Sequence, residues 1–136
     1  MICGAVSCTL PAATFGDYRA KAVDAAEEVI SQARTAILTA ELTRRDRLLA
    51  PAVTVQLQDA ETATTEAVDT FASIPPPGGG AGELRAGLLP LMEDVADLIT
   101  RMRFESERED TAALQGLRAS LVGPTERLED RIGANA

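Results

Sequence analysis

The groups in this chain that can do acid–base or metal chemistry are almost all carboxylates, because its 136 residues include no histidine and only two cysteines. The commonest general base and the commonest transition-metal ligand are therefore both missing. Three sets of acids lie close enough in sequence to act together: Glu27-Glu28, Asp59 with Glu61, and Glu93-Asp94 with Asp97. A di-metal site inside a helical bundle would need Glu-x-x-His motifs facing inward, and that pattern cannot be built without histidine. Adjacent acids otherwise form a solvated face. No nucleophile, base and orienting group can be named together, so no catalytic residue is assigned. Nor does the glycine-rich stretch Gly78 to Gly82 make a phosphate loop, since it follows prolines rather than a strand and no Lys-Ser/Thr pair comes after it. Neither a metal nor a cofactor is expected.

Cys3 and Cys8 are too few for a four-ligand structural zinc site. A disulfide between them would close a very short loop with little to stabilise. Three readings stay open for Cys8: an inert thiol, a redox thiol, and a lipid attachment point. The last rests on Ala5-Val6-Ser7, which places small or aliphatic residues directly ahead of the cysteine. An export signal needs a charged start and roughly 7–15 apolar residues. Only Met1 to Val6 lie ahead of that site, so lipidation of Cys8 expects a translation start upstream of Met1.

Twelve arginines and one lysine stand against 21 acids, leaving a net charge of −8. That balance excludes a nucleic-acid binder, which needs a cationic surface to displace counterions from phosphates. It also excludes a polybasic membrane-surface protein. No stretch approaches the ~18 consecutive apolar residues of a spanning helix, so membrane contact is expected only through an N-terminal lipid. Apolar residues make up 46% of the chain, enough for a core, and 24 of them are alanines, which favour closely approaching helices.

Four segments must position these groups. In the first, Ala22, Ala26, Val29, Ala33, Ala36 and Ala40 recur at steps of four and three, predicting helix 1 over about 17–43. Pro51 suits a first helical turn. After it, Val53, Leu57, Ala60, Thr64, Ala67, Phe71 and Ile74 repeat the spacing, predicting helix 2 over 51–74. The run Pro75-Pro76-Pro77-Gly78-Gly79-Gly80 ends that helix and forms the one low-complexity linker. Leu84, Leu88, Leu91, Val95, Leu98 and Met102 predict helix 3 over 83–104, with a kink expected at Pro90 that Gly87 eases. Asp110 or Thr111 then caps helix 4, 110–132, which carries Leu114, Leu117, Leu121, Leu128 and Ile132 and which Gly123-Pro124 kinks or splits. No strand candidate survives. The fold expected is all-α, an antiparallel up-down-up-down four-helix bundle over 17–136, with a Pro/Gly loop between helices 2 and 3. Residues 1–16 read as a flexible or lipoprotein-type arm.

That topology puts the helix 1–2 and 3–4 turns at one end and the Pro/Gly loop and both termini at the other. Arg44, Arg45, Arg47, Arg101, Arg103 and Arg108 then gather at the turn end, where guanidinium groups can grip a phosphate, a carboxylate or an acidic partner. Six acids, Glu41, Asp46, Glu105, Glu107, Glu109 and Asp110, share that end, so a salt-bridged surface is the competing expectation. Phe71, Leu91 and Met92 mark a candidate apolar-ligand cavity between helices 2 and 3, against the plainer reading that large residues fill volume opposite alanine. The heptad-like seams also allow self-association as a homo-oligomer.

The runs Cys8-Thr9-Leu10-Pro11, Phe15-Gly16-Asp17-Tyr18-Arg19-Ala20-Lys21-Ala22, Asp59-Ala60-Glu61 and Phe71-Ala72-Ser73-Ile74-Pro75-Pro76 resemble a group of small secreted helical lipoproteins of high-GC Gram-positive bacteria. In that group the cysteine matching Cys8 closes a signal peptide, which implies an exported, membrane-anchored protein here. It implies no catalytic residues. The expectation is thus a non-enzymatic interaction or spacer protein, tethered at its N-terminus and binding a protein partner through the arginine tip. The alternatives are a small apolar-ligand or sensory bundle, and a cytoplasmic location if Met1 is the true start.

Overall fold

A computed structural model describes residues 14–134. They form four helices and, among the described residues, no strand: α1 (Phe15–Arg44), α2 (Ala50–Ala72), α3 (Ala81–Glu107) and α4 (Thr111–Ala134). Connections of three to eight residues force successive helices antiparallel. Each helix packs on the next, α4 closes onto α1, and α1 also reaches α3 across the diagonal, whereas α2 and α4 do not touch. The diagonal contact follows from the alanine seam. Ala22, Ala26, Ala33, Ala36 and Ala40 are all fully buried, and a methyl-sized surface lets α3 approach α1 more closely than larger side chains would. Opposite it lie Leu88, Met92, Val95, Ile99 and Met102, which fill the volume the alanines leave.

Helix boundaries differ from expectation by up to three residues, and the main differences have local causes. α1 starts at Phe15 rather than Asp17, because Thr14 caps it: its Oγ1 accepts the Asp17 N–H at 3.1 Å. α2 stops at Ala72 rather than Ile74, since Pro75 disfavours helical geometry at the residue before it. Arg85 of α3 then donates to the carbonyls of Ala72 (2.9 Å) and Ile74 (3.3 Å), satisfying acceptors the helix end leaves open. α3 runs on to Glu107 because Ser106, 7% exposed, packs across to α2 with its hydroxyl 3.2 Å from that of Thr54. α4 is one helix; neither Gly123 nor Pro124 splits it, and Asp110 caps it by accepting the Ala113 N–H at 3.0 Å. Likewise α3 is continuous through Pro90. A Cβ at Gly87 would stand 2.8 Å from Arg131 Nη1 of α4, the tip of a long side chain that can shift aside.

Candidate functional site

The turn end is built from two connections with the same hydrogen-bond pattern. After α1, the Asp46 N–H bonds the Thr43 carbonyl (3.1 Å) and the Arg47 N–H reaches back to Leu42 (2.8 Å). After α3, Glu109 N–H bonds Ser106 (3.1 Å) and Asp110 N–H reaches Glu105 (3.0 Å). Both are Schellman closures, in which one residue adopts a left-handed conformation. Glycine usually fills that place, yet here Asp46 (φ 52°) and Glu109 (φ 55°) do so. No glycine marks either turn, so the sequence carries no signal for them.

A belt of side-chain bonds lies behind these turns. Thr39 Oγ1 of α1 donates to Gln56 Oε1 of α2 at 2.8 Å, and Gln115 Nε2 of α4 donates to the Ala40 carbonyl of α1 at 2.8 Å. Together with the Thr54–Ser106 contact they join all four helices near one level. Further down, Glu61 of α2 accepts from Thr100 Oγ1 (3.1 Å) and Arg103 Nε of α3.

The six arginines separate on this frame. Arg103 is 18% exposed, held by Glu61 and by Glu107 (2.7 Å), with its guanidinium 4.3 Å above the Phe104 ring. The hydrogen bond it donates to Glu61 raises its pKa above the ordinary arginine value. Arg45 pairs with Glu41 at 3.7 Å and Arg101 with Asp97 at 3.8 Å. Residues two apart on a helix point about 200° apart at 3.6 residues per turn, so Arg101 and Arg103 face opposite flanks. A single six-arginine site is not formed. Arg44, Arg47 and Arg108 remain, all exposed and with no ion pair among the described residues. Leu49, 80% exposed, sits on the same connection as Arg47 and leads into α2. The periodicity had no reason to single it out.

The cavity candidates do not come together. Phe71 is buried against Tyr18, ring centroids 5.5 Å apart, and lines a groove of about 500 Å³ between α1 and α2. Leu91 lines a different groove, about 460 Å³, between α3 and α4. Met92 is fully buried in the core. The buried stripe of α3 runs Leu84, Leu88, Met92, Val95, Ile99, Met102, which turns Leu91 and Leu98 onto the flank. Tyr18 buries its hydroxyl with no hydrogen-bond partner among the described residues. Cys8 lies outside the described residues. Among the described residues no three acids or cysteines group closely enough to hold a metal ion, and no helix is long and apolar enough to cross a membrane. Comparison with family models, curated proteins and solved structures finds no match to this chain.

Proposed function

We propose that the chain is a non-enzymatic interaction protein, a helical spacer that presents Arg44, Arg47 and Arg108 to an acidic segment of a protein partner. One observation carries this reading: among the described residues these arginines are exposed and without ion pairs, at helix ends and turns fixed by main-chain bonds, while their neighbours are already paired. Arginine binds carboxylates through two parallel N–H bonds, and a pre-set fork loses less entropy on binding. Leu49, on the connection that carries Arg47, supplies the apolar contact that an interface centre needs. Attachment at the N-terminus suits the same geometry. α1 begins at the opposite end and its 30 residues span about 45 Å, so a lipid on Cys8 would leave the tip facing outward from a membrane.

Capture from the protein's own cells tests the tip. A partner held by the wild type and by Arg101→Gln, and lost by the triple variant Arg44→Glu/Arg47→Glu/Arg108→Glu, is the expected result; retention by the triple variant ends the proposal. The tether is tested separately by intact mass after detergent phase partitioning. An acylated species starting at Cys8 supports export and anchoring, and an unmodified one starting at Met1 replaces them with a cytoplasmic adaptor. The groove beside Phe71, lined by Ala25, Ala63, Ala67 and Ile74, favours a second reading as an apolar-ligand bundle. Under it, a ligand-induced rise in melting temperature survives the triple arginine variant.

A further inference from the structure

The outer face of α1 beside α4 carries a stripe with an internal symmetry. Val23, Glu27, Ser31, Arg34 and Leu38 follow at steps of four, four, three and four, and so share one side of the helix. All five line a groove of about 760 Å³ whose far wall includes Ile132 of α4. Read from either end, the stripe is apolar, charged, small, charged, apolar, with the two charges opposite in sign. Leu38 is 55% exposed, one of five large apolar side chains left in water among the described residues, and it stands at the end of this stripe. Arg34 gives one hydrogen bond, to Glu129 at 2.5 Å, and its side chain remains 66% exposed, so most of its donor fork faces solvent.

We infer that this face pairs with the same face of a second copy in antiparallel orientation. A two-fold axis near Ile30-Ser31 sets Val23 against the partner's Leu38 and Glu27 against the partner's Arg34, each contact occurring twice. Self-complementarity of this kind is what a two-fold interface requires. A parallel arrangement would instead set like charges together. Ser31 at the axis keeps the backbones free to approach. The stripe spans about 22 Å over fifteen helical steps, a small contact, so the dimer is a weak one that forms at high concentration. Its two tips project from opposite ends, which makes the dimer a bivalent connector. The pairing rests on α1 and α4 and stands whether or not the arginine tip binds a partner.

Sedimentation of the full chain at ~0.15 M salt, where repulsion between net-negative copies is screened beyond about 8 Å, tests the pairing with complementary variants. Wild type is expected to move with concentration from 14.3 kDa toward twice that mass. Glu27→Arg alone and Arg34→Glu alone place like charges opposite one another and should stay monomeric. Mixed in equal amounts they should dimerise, because each unlike contact then re-forms between chains. Leu38→Glu, at an exposed site that leaves folding intact by circular dichroism, should be monomeric in every mixture. Monomer at all concentrations for the wild type, dimers of either single charge variant by itself, or no association on mixing would overturn the inference.

Discussion

The two ends of the bundle are held by different forces. At the turn end, paired left-handed closures and a belt of inter-helix hydrogen bonds, Thr39–Gln56, Thr54–Ser106 and Gln115–Ala40, join every helix to a neighbour. At the loop end, Tyr18 and Phe71 fill the core, the Tyr18 hydroxyl has no partner among the described residues, and the Arg85 guanidinium closes α2. Apolar burial is strong but indifferent to register, while hydrogen bonds are individually modest and geometrically exacting. The apolar core runs the length of the bundle, with Val53, Met102 and Leu114 buried behind the turns, and at the loop end it is not reinforced by such a belt among the described residues. The turn end supplies position, and position is what a binding face needs.

Phe71→Ala should have the largest effect, a loss of about 3–5 kcal/mol from the cavity it leaves, read as a lowered denaturation midpoint. A loss under about 1 kcal/mol would mean that packing around Phe71 is not what holds the loop end. Arg103→Ala comes next, at about 1–2 kcal/mol, since it strips Glu61 of a charge-assisted bond at a part-buried site. Its cost should be clearly smaller than that of Phe71→Ala, and equality would erase the contrast between the ends. Smallest are Asp46→Gly and Glu109→Gly, each raising stability by about 0.5–1 kcal/mol by relieving a left-handed residue with a side chain. Destabilisation by either would show that the carboxylate itself holds the turn.

Legibility in the sequence tracked how local each cause was. The alanine seam of α1 was readable residue by residue, because one stripe alone fits a helical period there. α3 was ambiguous: Leu91-Met92 and Leu98-Ile99 offer two adjacent stripes, and packing against α1 chooses Met92 and Ile99. Thr14 followed by Asp17 was a visible cap signal for an earlier start of α1. Topology placed six arginines near one end but not on one side, because side-chain direction depends on helix phase. The pairing of Arg103 with Glu61, 42 positions away, has no local signature at all.

Native-state hydrogen exchange at the turn end tests the central claim, that Arg44, Arg47 and Arg108 are held in place before any partner arrives. The amides of Arg47 and Asp110, bonded to Leu42 and Glu105, should exchange only through the same opening as core amides such as Leu57 and Ile99. Exchange at the rate of an unstructured loop, with the core still protected, would contradict the account, because the arginines would then sit on frayed turns and no pre-set face would exist.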